Sequence, residues 1–164
     1  MVFENGFIKT ELPDFSHTLT LPKNKSVDEF LALLPKSKRR KIVYEAKRYE
    51  DKFKVETKSK INPMDLEKGY GLYLNVQKKS MTINSFPLPY SFFQEINKNE
   101  DWEFILLYLN DLEYPSELNS LVGIVLCHKI NTIYTPLYMG LDYNYKYSHN
   151  IYKQIIWQLV KRPI

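Results

Sequence analysis

After Gly140 the chain gathers the side chains best suited to chemistry: Asp142, Tyr143, Tyr145, Tyr147, Ser148, His149 and Asn150. The spacing predicts that Ser148–Asn150 open a helix, whose unpaired N–H groups and dipole favour an anion. Asp142 and His149 are the two candidate general bases, because a carboxylate or an imidazole can take a proton from a reacting group. Plainer roles fit the same residues: Ser148 as a helix cap, His149 as a solvated first-turn residue, and Asp142 as a turn former after Gly140-Leu141.

Other chemistries find less support. No glycine-rich phosphate loop occurs, and Lys36-Ser37 lacks the glycines such a loop needs. His17, His128 and His149 do not stand at metal-ligand spacing. His128 adjoins Cys127, but neighbours on a strand point to opposite faces, so no metal is expected. No nucleophile elbow is present, and the sequence leaves open whether a serine, a histidine and an aspartate meet in space. The run Lys36-Ser37-Lys38-Arg39-Arg40-Lys41 reads either as a solvated helix face or as a phosphate contact, since guanidinium groups grip phosphate oxygens in pairs.

The elements that must position these residues follow from hydrophobic period. Leu121–Ile130 is a buried strand, Asn131-Thr132 a tight reversal, and Ile133–Met139 a second strand stopped by Gly140. A helix follows from about Ser148 to Lys161, with Ile151, Ile155 and Leu159 on one line and Tyr152, Ile156 and Val160 on the next. Upstream, Ser26 caps a helix reaching about Lys52, with Asp28 and Glu29 in its first turn. Pro35 kinks it or divides it into two. Phe53–Thr57 is a strand. Asn62-Pro63 starts a helix to about Ser80, in which Gly69 and Gly71 are either tolerated or mark a close approach. Phe86–Pro89 is an extended linker, Tyr90–Asn97 a short helix, Trp102–Leu109 a strand and Glu113–Ser120 a turn. Met1–Pro22 has no helical period and reads as an edge strand with an extended lead-in. Three consecutive strands with helices packed on them predict an α+β layered fold.

Composition sets the limits. The 164 residues suit one domain with a real core. The formal charge of +4 suits an anionic ligand better than general nucleic-acid binding. The 13 tyrosines pair apolar bodies with polar tips, as pocket walls and interfaces do. Cys127, the single cysteine, lies within an apolar run, so it is expected in the core of a protein from a reducing compartment. No apolar run approaches the ~20 residues of a membrane helix, and the first residues lack a signal-peptide core. The expected location is the cytoplasm.

Three stretches carry a resemblance. The first is the apolar strand Leu121-Val122-Gly123-Ile124-Val125-Leu126, the strand end Tyr138-Met139-Gly140-Leu141-Asp142-Tyr143, and the helix start Asn150-Ile151-Tyr152-Lys153. The second is Ser26-Val27-Asp28-Glu29-Phe30-Leu31 leading to Lys38-Arg39-Arg40. The third is Leu72-Tyr73-Leu74-Asn75-Val76 leading to Phe86-Pro87-Leu88-Pro89 and Phe92-Phe93. Together they resemble the GNAT (acyl-CoA N-acyltransferase) fold, in the FemAB-like branch of bacterial peptidoglycan and cell-envelope proteins, over about Ser26 to Lys161. The resemblance implies the first half of a GNAT-like domain at 26–164, lacking its C-terminal strands, behind a lead-in at 1–25 that looks like the tail of a preceding domain. It implies N-acyl transfer from acyl-CoA, or from aminoacyl-tRNA, to a small-molecule amine or a peptidoglycan-precursor-like acceptor. Backbone groups of Tyr138, Met139 and Gly140 would contact the donor, and Ser148, His149 and Asn150 would face its phosphate end. The turn Tyr143–Asn150 lacks the glycines that cradle a pyrophosphate in many GNAT enzymes. Nucleic acid would be a partner only with tRNA as donor. The alternatives are a non-catalytic assembly module that self-pairs through an exposed sheet edge, and a nucleic-acid-associated domain using Lys36–Lys41.

Overall fold

The computed structural model describes residues 2–4, 7–9, 26–79, 87–111, 119–131 and 133–162. Strands β1 (Val2–Glu4) and β2 (Phe7–Lys9) pair antiparallel with each other, as a hairpin separate from the main sheet. The lead-in predicted after them lies outside the described residues. Helix α1 (Val27–Leu33) opens with a reciprocal cap: Ser26 Oγ accepts from the Glu29 N–H at 3.2 Å, and Glu29 Oε2 accepts from the Ser26 N–H at 2.7 Å. Leu34 is extended before Pro35, and α2 (Lys36–Glu45) begins anew, so the proline divides the segment into two helices. A 3-10 turn, Lys47–Lys52, leads into β3 (Phe53–Lys58).

Helix α3 (Pro63–Lys79) starts where expected. Asn62 Oδ1 accepts from the Asp65 N–H at 2.8 Å, and proline fits the first helical position. Then come α4 (Tyr90–Ile96), β4 (Trp102–Leu109), β5 (Leu121–Ile130) and β6 (Ile133–Leu141). Asn131 is left-handed at φ 52° and Ile130 lies opposite Ile133, as a two-residue reversal requires. Thr132 lies outside the described residues, as do Phe86 of the predicted linker and 113–118 of the predicted turn. A 3-10 turn (Tyr143–Tyr145) and α5 (Ile151–Lys161) complete the order. Two boundaries differ from expectation: β6 runs through Gly140 to Leu141, and the last helix starts at Ile151 instead of Ser148.

The main sheet has the order β3-β4-β5-β6 and is antiparallel throughout, so the fold is α+β. Both of its faces are covered, which is why β4 and β5 read as nearly continuous apolar runs. Phe104 and Leu106 of β4, with Leu121, Ile124 and Leu126 of β5, meet Leu66, Leu72 and Tyr73 of α3 and Phe93 and Ile96 of α4. Ile105, Leu107 and Leu109, with Val125 and Cys127, meet Ile151 and Ile155 of α5. Each such side chain contributes roughly 1.5–3 kcal/mol on leaving water. Burial pushes the Cys127 thiol up to about 11, as befits a core residue.

A third layer covers α5. Phe30, Leu31 and Ala46 enclose Trp157, Gln154 donates to the Ala46 carbonyl, and Glu50 accepts from Trp157 Nε1 at 3.1 Å and from Lys161. The buried face of α5 is therefore Ile151, Gln154, Ile155, Trp157 and Gln158, while Tyr152 and Ile156 of the second apolar line are exposed.

The far end of α5 is tied to the sheet by one buried carboxylate. Glu103 accepts from Arg162 Nε at 2.9 Å and Nη2 at 2.8 Å, and from the Tyr134 hydroxyl at 2.7 Å. Burial alone would raise its pKa, but these donors more than offset burial and hold it below its ordinary 4.5. A carboxyl held low in the fold contributes stability above its ordinary value, and the contribution is lost as pH falls through the folded-state value. Urea unfolding should therefore show Glu103→Gln less stable by about 3 kcal/mol at neutral pH. The gap from the parent protein should narrow as pH falls below 4.5; a gap independent of pH would contradict this role.

Candidate functional site

The bend between β6 and α5 is open on one side and packed on the other. Asp142 accepts from the Asn144 N–H at 3.0 Å and caps the 3-10 turn. Tyr145 is buried beneath it, Asp142 and Tyr143 are half-buried, and Tyr147 is 85% exposed. Asp142 borders a shallow groove with Met64, Glu67, Lys68, Gly71, Leu72 and Asn75 of α3. Gly71 has open space around it, and its missing side chain keeps that groove clear. Three lysines stand over aromatic rings of the corner: Lys79 at 3.7 Å from the Tyr143 ring centre, Lys146 at 5.0 Å from Tyr147 and Lys153 at 5.9 Å from Tyr152. The corner is thus positively charged and aromatic.

His149 is buried just before α5 and is neither solvated nor on its first turn. Its Nε2 lies 2.9 Å from Asp111 Oδ2, and its Nδ1 lies 2.8 Å from Ser148 Oγ. Asp111, 4% exposed, also accepts from Lys52 Nζ at 3.0 Å. An ionised carboxylate only accepts, so Nε2 carries the proton that faces Asp111. In the neutral ring Nδ1 then accepts from the Ser148 hydroxyl, and Ser148 is exposed. A serine, a histidine and an aspartate therefore do meet in space, linked from solvent to a half-buried ion pair. Phe53 and Tyr145 hold the imidazole edge-on, with ring centres 5.9 and 5.1 Å away.

The three residues expected to face a phosphate diverge. Ser148 is exposed, His149 is enclosed, and Asn150 is left-handed with its Nδ2 donating to the Glu45 carbonyl at 2.8 Å. No side chain caps α5. Tyr138 and Met139 are half-buried on opposite faces of β6, against the α3 and α5 sides of the sheet. Gly140 is where β6 passes closest to α3. A Cβ there would lie 2.5 Å from Tyr73 N and 2.7 Å from the Leu72 carbonyl carbon. Gly69 is as tight, with its would-be Cβ 2.6 Å from Ile124 Cδ1.

Asp111 and Lys52 escape a reading of the sequence. They lie 38 residues before His149 and 59 residues before Asp111, respectively. Asp111 simply follows an apolar strand, where polar residues are ordinary turn formers. Among the described residues no group of His, Cys, Asp and Glu forms a metal site, and no helix is long and apolar enough to cross a membrane.

No protein-family model matches this chain, and no curated protein matches it.

The two glycines that border this corner should respond oppositely to one added methyl group. Gly140→Ala must push backbone against backbone and is expected to cost about 3 kcal/mol. Gly71→Ala, in open space within a helix, should gain up to about 1 kcal/mol. Chemical denaturation of both variants checks the pair, and equal effects would contradict the packing described.

Proposed function

We propose that the chain is a GNAT-like, FemAB-like N-acyltransferase domain that works at the β6–α5 corner. Its donor is an acyl-CoA, with aminoacyl-tRNA as the alternative, and its acceptor is a small amine or a peptidoglycan-precursor-like amine. The observation that carries this reading is the position of β6: among the described residues it is an edge strand, and its end runs into a lysine- and tyrosine-lined bend. The outer edge of such a strand presents backbone groups that a donor's amide-bearing arm can pair with. At Leu137 the register slips, since Leu126 faces Tyr138 while Cys127 faces Pro136, so the strand bends beside Tyr138–Gly140.

The donor supplies an activated carbonyl. The residues at hand hold its phosphate end through Lys79, Lys146 and Lys153, and offer β6 backbone N–H groups to the developing oxyanion. Asp142 lines the groove and can take a proton directly. His149 reaches solvent through the Ser148 hydroxyl, so it would accept a proton by relay, with Asp111 steadying the imidazolium that forms.

A thermal-shift titration tests the donor site. Acyl-CoA at a hundredfold excess over its dissociation constant should stabilise the protein by about 2.7 kcal/mol, and Lys146→Ala with Lys153→Ala should remove most of that shift. No shift with acyl-CoA or aminoacyl-tRNA would overturn the reading. A second reading, an assembly module, draws on one observation: Ile130, Ile133 and Leu137 are 52%, 64% and 48% exposed at the same edge. Gel filtration showing a dimer that Leu137→Lys dissolves would favour it instead.

A further inference from the structure

Helix α2 buries none of its residues. Ile42, half-buried, packs toward the cluster of Phe30, Leu31, Ala46 and Trp157, while residues 36–41, Val43 and Tyr44 are exposed. Lys36, Arg39, Arg40 and Lys41 line a shallow surface depression with Val43, Tyr44 and Arg48. Nearby acids answer little of this charge. Glu45 lies 3.9 Å from Lys41 and 3.5 Å from Lys153, and Asp28 lies 3.5 Å from Lys47. Among the described residues no ion pair engages Lys36, Lys38, Arg39 or Arg40. Tyr44 is 66% exposed, and the Arg48 guanidinium lies 5.2 Å from its ring centre and 5.1 Å from that of Tyr49.

We propose that this face of α2 is a binding site for single-stranded or looped RNA, with Arg39 and Arg40 on the phosphates and the Tyr44–Arg48 pair as a stacking platform for a base. Two features choose RNA over a lipid surface. A helix that lies on a membrane needs a broad apolar face, whereas the exposed apolar side chains of α2 are Val43 and Tyr44. An exposed tyrosine stacked with arginine, amid cations, is the arrangement that holds unstacked bases without reading their sequence. The site uses side chains other than those of the β6–α5 corner and does not depend on the acyl-donor reading.

Fluorescence anisotropy with a labelled, unstructured RNA of about 16 nucleotides tests it. Binding is expected at about 50 mM salt, with affinity falling steeply as salt rises. Arg39→Ala with Arg40→Ala should flatten the slope of log affinity against log salt by about 1.4, two phosphate contacts on a single strand. Tyr44→Ala should weaken binding about tenfold, and Tyr44→Phe should retain it. Each substituted side chain is exposed, and circular dichroism confirms that the variants keep their fold. Vesicles rich in phosphatidylserine should not compete. No RNA binding at low salt, binding unchanged by the arginine variants, or binding unchanged by Tyr44→Ala would overturn the proposal, as would vesicles that compete as well as RNA.

Discussion

The carboxylate of Asp111 is a buried charge that the fold must answer. It stands just past β4, 4% exposed, and receives Lys52 on one oxygen and the His149 imidazole on the other. An ionised group out of water is tolerable only when paired and hydrogen-bonded. Those two partners end other segments of the chain: Lys52 closes the 3-10 turn before β3, and His149 closes the bend before α5. One carboxylate therefore fixes three segments at one point. Removing either partner takes a hydrogen bond from the buried carboxylate, so the three side chains of this pin depend on one another.

What the pin fixes is the path of the bend. With His149 drawn inward, Ser148 is left at the surface with its hydroxyl on the ring, and Asn150 turns left-handed to start α5 against the Glu45 carbonyl. Helix α5 then lies between the sheet and the N-terminal helices, apolar toward the sheet and both apolar and hydrogen-bonded toward the helices. On the opposite face, α3 comes close enough to β6 that Gly140 admits no side chain. Both faces of the sheet are closed by this packing. The outer edge of β6 and the lysine-lined bend stay accessible, and the proposed chemistry is placed there for that reason.

Much of the architecture was legible from residue patterns, and the exceptions share a cause. β4 and β5 match their apolar runs because both sheet faces are buried, and Asn62-Pro63 and Ser26 start helices through local hydrogen bonds that neighbours in sequence supply. Gly140 reads as a strand terminator, since its real role, the close passage of α3, depends on a helix some 70 residues earlier in the chain. The start of α5 is misplaced because Ser148 looks like a cap, while the cap position falls to a left-handed Asn150 that bonds to a distant carbonyl. Tyr152 and Ile156 look buried because they form an apolar line beside Ile151 and Ile155, whereas the third layer engages Gln154 and Trp157. For the site, Asp142 and His149 were visible as residue types. The environment of His149 was not, because Asp111 and Lys52 are brought to it only by the finished sheet.

The coupling between His149 and Asp111 is the most direct measure of this account. A double-mutant cycle with His149→Gln and Asp111→Asn, followed by urea unfolding, isolates it from the packing that each variant also disturbs. The pin predicts that the double variant is less destabilised than the sum of the single ones by about 1.5 kcal/mol or more, as for other hydrogen-bonded pairs with a charged member. Strict additivity, with each substitution costing the same whether or not the other is present, would contradict it.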